Sequence, residues 1–191
     1  MSEPKASSEQ LADYHRQFEA IKRDADELLA GLDDARFNWR SAPGRWSIAQ
    51  CFNHLNVFGN KLLPLMDKAI ERSRTNNLTS QRRARYGLFG GFFLRMTEPP
   101  ARVKVKAPKI YLPSPERPLV EEASQFAQLQ EDMIKRTELA NGVDLSRTKI
   151  SSPFSSLLTF NLATWFAVTA AHERRHLWQA REIISHKDFP R

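Results

Sequence analysis

Apolar residues recur at steps of three and four along four separate stretches of this 191-residue chain. That period constrains the fold more than any other feature. In the first stretch Leu11, Tyr14, Phe18, Ile21, Ala25, Leu28 and Leu32 fall on one stripe of an α-helix. Ser7 or Ser8 is placed to cap its start, and Gly31 sits near its end. The second stretch carries Cys51, Leu55, Phe58, Leu62, Leu65 and Ala69. It opens on Ser47-Ile48-Ala49-Gln50, a capping box in which the serine accepts from the N3 amide and the glutamine reaches back. Pro64 lies inside this pattern and predicts a bend. A third helix is predicted over Leu119–Ala140, with Phe126, Leu129, Met133 and Leu139 among its apolar positions and Gly142 as its C-cap. A fourth runs from Asn161, a good N-cap, to Ile184.

Four helices of roughly 20 residues suffice for an all-α four-helix bundle with a continuous core. At this length the chain 1–191 reads as a single domain. Seven glycines against eleven prolines argue against a sandwich or barrel, whose turns consume glycine. The connection between the second and third helices is long and irregular, with a short helix expected within 81–96 and extended chain or a small edge strand over Arg102–Leu112. The single cysteine, Cys51, excludes an intramolecular disulfide and a thiolate zinc knuckle. The polar start shows no signal peptide, and the uncharged run Ile150–Ala171 is too rich in Ser and Thr for a membrane span. A soluble cytoplasmic protein with no membrane partner is the expectation.

The net charge of +7 is concentrated: ten Lys/Arg and one acid lie between Arg72 and Lys109. The block reads as a solvated connector or as a face for an anionic partner. Neither an RNA-module aromatic motif nor a helix-turn-helix pattern accompanies it, so a nucleic-acid partner is not expected.

The chemistry-bearing residues are histidines. His172 and His176 stand four apart in the stripe Trp165, Thr169, His172, His176, Gln179, Ile183. Two imidazoles one helical turn apart can bind one divalent ion. His54, at the margin of the second helix's apolar stripe, would complete a set that suits Zn, Ni or Fe(II) and leaves positions open for water or substrate. Core histidines that are simply hydrogen-bonded, and His pairs on solvated helices, show the same spacing, so spacing alone leaves both readings open. The stretch His172-Glu173-Arg174-Arg175-His176 also spells the H-E-x-x-H of zinc proteases. Its context is wrong for one: Gln179 and Glu182 stand where an extended motif needs glycine and histidine, and fifteen residues after His176 are too few for a distant third ligand. Glu173 stays a candidate acid–base or supporting group.

Three segments carry a resemblance. Arg45-Trp46-Ser47-Ile48-Ala49-Gln50-Cys51-Phe52-Asn53-His54-Leu55 resembles the W-S-x-x-Q-x-x-x-H-L signature of the DinB/YfiT-like superfamily, the damage-inducible metalloenzyme-like proteins rather than the polymerase of the same name. His172 through Gln179 is similar to that family's closing H-x-x-x-H-x-x-Q, and Val105 through Pro113 to its proline-marked middle segment. The resemblance implies a four-helix bundle of up-down-down-up topology and a divalent metal, zinc or nickel first and iron next, held by His54, His172 and His176. It further implies a small-molecule substrate and an enzyme of the thiol S-transferase type, in which the ion activates a low-molecular-weight thiol. A metal-dependent hydrolase activating water, or a non-catalytic bundle binding metal or a partner, are the alternatives. In this frame Trp46 anchors the loop before the second helix and Gln179 orients a ligand or bound water.

Remaining residues read more simply. Cys51 is expected to be a small core side chain, His15 and His186 surface groups, and Trp165, Phe166 and Trp178 packing residues, with Trp165 also able to line a pocket. The apolar cluster Leu88–Leu94 fits either a cover for the bundle end or a homodimer contact.

Overall fold

A computed structural model describes residues 6–100, 116–153 and 158–191. Among these, the elements in chain order are α1 (Ala6–Leu29), α2 (Asp34–Asn38), α3 (Ile48–Thr75), α4 (Gly87–Thr97), α5 (Leu119–Leu139), β1 (Lys149–Ser151), β2 (Thr159–Asn161) and α6 (Leu162–Ile184). The fold is mainly α-helical, and the four long helices α1, α3, α5 and α6 match the four periodic stretches. The extended segment expected over 102–112, and the proline-marked segment 105–113, lie outside the described residues.

Each long helix buries most of its expected stripe, with Leu65 on α3 and Ile183 on α6 only half-buried. On α1, Leu11, Tyr14, Phe18, Ile21, Ala25 and Leu28 are all buried. On α3, Leu55, Phe58, Leu62, Met66 and Ala69 are. α5 packs on α1 and α3, and so does α6, which leaves α5 and α6 facing each other across a common core. The capping box is present: Ser47 Oγ accepts from the Gln50 amide at 3.1 Å, and Gln50 Oε1 accepts from the Ser47 amide at 3.1 Å. α3 continues through Pro64, an exposed residue.

Several local expectations need correction. Ser7 does not cap α1; it lies within the first turn and donates its hydroxyl to the Ser80 carbonyl. α1 stops at Leu29, so Leu32 follows the helix, with Gly31 at φ 76°. The loop before Trp39 contains the short α2, which Asp33 caps by accepting from the Arg36 amide at 2.8 Å. α5 ends on Ala140 as its C-cap, two residues before Gly142. Leu139 is 37% exposed and so does not join the core.

The Ser-rich connection before α6 contains an antiparallel ribbon, pairing Lys149 with Asn161, Ile150 with Phe160 and Ser151 with Thr159. The ribbon positions α6. Asn161 ends β2 and caps α6, accepting from the Thr164 amide at 2.8 Å. Trp165 then donates its indole N–H to the Ile150 carbonyl at 3.0 Å. Leu162 to Ala171 is buried throughout, which accounts for the absence of charge in this part of the sequence. Among the described residues no helix is long and apolar enough to cross a membrane.

Gly59 lets α3 and α5 approach closely. A Cβ there would lie 2.4 Å from Leu129 Cδ1. Leu129 is itself buried, so the added methyl overpacks the contact. Gly59→Ala is expected to cost about 1–3 kcal/mol in urea unfolding. The cost should shrink when Leu129→Ala opens the space, and strictly additive effects would contradict this packing.

Candidate metal site

α3 and α6 pack together, and the two motifs meet where they touch. His54 lies seven residues after Ser47, close to two helical turns, so the capping box sets its position as well as the start of α3. His172 and His176 point from one face of α6. Nε2 of His172 lies 3.2 Å from Nε2 of His54 and 3.2 Å from Nε2 of His176. One nitrogen from each of the three falls in a group no wider than 4.8 Å. Ligand atoms arranged tetrahedrally at about 2.0–2.1 Å from one zinc ion are roughly 3.3 Å apart. Both distances to His172 fit that requirement, and the third pair lies within 4.8 Å.

Proton bookkeeping points the same way. Nδ1 of His176 faces Gln179 Oε1 at 3.1 Å, so this nitrogen carries the ring proton and leaves Nε2 with a lone pair turned to the cluster. A neutral His172 has one proton. If Nε2 carries it, it can be donated to only one of the two neighbouring rings; if Nδ1 carries it, that buried nitrogen has no hydrogen-bond partner. A cation facing the lone pairs relieves the meeting of the Nε2 atoms, while the Nδ1 proton of His172 stays buried without a partner among the described residues. The donor set therefore suits a divalent ion.

The surroundings keep His172 and His176 neutral. Burial first, then the nearby His54 and the Arg175 charge, hold His172 well below the ordinary histidine pKa. Burial, His172, His54 and Arg175 do the same to His176, against a smaller opposing effect of Gln179. His54 and His176 are buried, and His172 is partly exposed. Trp46 stacks on His176, with ring centroids 5.6 Å apart and planes at 17°, and lies 5.1 Å from His54. Phe58 meets His172 edge-on at 5.0 Å.

Around the cluster, polar ties fix the helices. Fully buried Glu122 on α5 accepts from Asn53 Nδ2 at 3.0 Å and Asn56 Nδ2 at 2.8 Å, both on α3 and flanking His54, and from Arg117. On α6, Arg174 pairs with Glu98 and bonds Gln17 at 2.9 Å, and Arg175 donates to the Met96 carbonyl at 3.0 Å.

Glu173 is fully buried beside Gln130 of α5, away from the imidazole nitrogens on its helix, and burial pushes its carboxyl up to about 8. This placement does not suit the general base of a zinc protease. Cys51 is buried, its thiol pushed well up by desolvation, and lies outside the ligand group. Trp165 is a core residue bonded to β1 and lines no part of the cluster. His15 lies near Glu19 and Glu138, and His186 packs on Trp39. Trp46 was expected only as a loop anchor, and the contacts of Phe58, Arg174 and Arg175 had no sequence signal, because each depends on which helices become neighbours.

The chain matches the family model of the DinB superfamily over residues 17–180 and belongs to that superfamily. Neither a curated protein nor a solved structure matches the chain.

The shifted groups make stability depend on pH in the metal-free protein. Unfolded histidines titrate near 6.5, but folded His172 and His176 resist protonation. Their contribution is therefore complete above 6.5 and is lost as pH falls below it, at up to roughly 2.7 kcal/mol per pH unit for the pair. Glu173 acts oppositely: its folded pKa is raised, so its contribution is full below about 4.5 and is lost as pH rises toward about 8. Urea midpoints should peak between about pH 6 and 7. Glu173→Gln should remove the decline on the alkaline side, and a flat profile would contradict the assigned burial.

Proposed function

We propose that His54, His172 and His176 hold one divalent ion, zinc or nickel first and Fe(II) next, and that the chain is a metal-dependent enzyme of the thiol S-transferase type. The observation that carries this reading is the approach of three imidazoles, with Nε2 of His172 lying 3.2 Å from that of His54 and from that of His176. An ion bound there would lower the pKa of a thiol placed on its open side, yielding a thiolate nucleophile at neutral pH.

The residues divide the remaining work. Gln179 holds the His176 ring in the tautomer that presents Nε2. Trp46 covers His54 and His176 and limits water on that side. Arg175 contributes positive potential near the rings, which suits a small thiol cosubstrate bearing a carboxylate. A low-molecular-weight thiol of the bacillithiol kind, with its malyl carboxylates, has that chemistry; one of the mycothiol kind would bind the ion through its thiol alone. We also read residues 1–191 as one DinB/YfiT-like unit whose four long helices run up-down-down-up, acting in the cytoplasm on a small molecule.

Two measurements test this reading. Titrated with zinc, the protein should bind one equivalent, and His54→Ala should weaken binding by more than about 100-fold. Gln179→Ala should weaken it about 10–100-fold while leaving the fold intact. Zinc- or nickel-loaded protein should consume a low-molecular-weight thiol in the presence of an alkylating electrophile, and His54→Ala should not. Turnover unchanged in that variant would refute the assignment, and ester or amide turnover with no thiol dependence would select hydrolysis instead.

A further inference from the structure

α4 has the most apolar composition of the longer helices and is widely open to solvent. Its Gly90 side lies against α6, so closely that a Cβ at position 90 would stand 3.0 Å from Thr164 Cγ2. At about 100° per residue, Leu88, Phe89, Phe92 and Met96 fall within a single arc turned away from that contact. Leu88 is 97% exposed, Phe89 60% and Phe92 61%. A contiguous exposed apolar face of this kind marks a surface that meets something.

The charge around the face narrows what that is. Arg82, Arg83, Arg85, Arg95 and Lys149 are exposed, and none of them has an ion-pair partner among the described residues. Arg85 and Lys149 share with Leu88 and Phe89 the wall of a cavity of about 430 Å³ at the start of α4. No acidic residue occurs from Arg72 to Thr97, and the next, Glu98, is engaged by Arg174. A second copy docked about a two-fold axis would set this cationic rim against itself. An anionic surface complements it.

We propose that α4 lies in the interface of an anionic lipid bilayer. Leu88, Phe89 and Phe92 enter the boundary between headgroups and acyl chains, and Arg82, Arg83, Arg85, Arg95 and Lys149 meet lipid phosphates. An 11-residue helix is about 16 Å long and cannot cross a hydrocarbon core of about 30 Å, so the contact is peripheral. This proposal departs from the sequence expectation of no membrane partner; among the described residues no helix is long and apolar enough to cross a membrane, which leaves a helix lying on the surface open. The far end of α4 is tied to α6 through Glu98–Arg174 and Met96–Arg175. The proposal does not depend on metal binding.

Co-sedimentation of the full chain with vesicles tests it. With equal parts phosphatidylcholine and phosphatidylglycerol the protein should sediment, and binding should fall at least about tenfold on phosphatidylcholine alone and weaken as salt rises. Phe89→Ser combined with Phe92→Ser, and Arg82→Gln with Arg83→Gln and Arg85→Gln, should each lose at least about tenfold with circular dichroism unchanged. As a readout that does not depend on these variants, Leu88→Cys carrying an environment-sensitive dye should brighten on the mixed vesicles; the native Cys51 is fully buried and escapes labelling. No sedimentation with the mixed vesicles, no change in the dye, or a dimer in sedimentation equilibrium that the Phe89/Phe92 variant dissolves would overturn the proposal.

Discussion

The contact between α3 and α6 sets three imidazoles against one another in a desolvated place, and much of the surrounding structure serves that contact. Left to themselves, the rings are poorly served, because a single proton on Nε2 of His172 can bridge it to only one of its two neighbours at 3.2 Å. Burial keeps two of the rings from resolving the conflict by taking up protons. The arrangement is therefore a poor solution for stability alone and a good one for holding a cation.

Such a contact has to be imposed by the rest of the fold. The capping box fixes where α3 begins, and hence where His54 faces. The β-ribbon and the Asn161 cap do the same for α6. Glu122 ties α5 to α3 through the two asparagines flanking His54, and loss of its carboxylate would take away a buried acceptor that both amides use. The indole of Trp46 and the ring of Phe58 confine the imidazoles from the sides. Each device is local, and together they hold the three rings in one geometry.

The long helices and the three clustered histidines were legible in the sequence because they rest on periodicity, caps and the spacing of a short motif. Asn161 and Ser47 mark helix starts by side-chain chemistry that acts within three residues. The match of His54 to the α6 pair needed the family resemblance, since a lone histidine at a stripe margin does not name its partner. The short α2 and the β-ribbon were missed because elements of five and three residues carry almost no periodic signal. Ser7 was misplaced because what it bonds, the Ser80 carbonyl, lies 73 residues away. Glu173 could not be separated from its motif by sequence; only the position of Gln130 across the core shows that it points into the bundle.

Zinc-edge X-ray absorption on the metal-loaded protein tests the central claim most directly. Three imidazole nitrogens and one lighter exchangeable ligand at about 2.0–2.1 Å, with one imidazole lost in His54→Ala, is the predicted result. A sulfur neighbour at about 2.3 Å, or an unchanged spectrum in that variant, would contradict it.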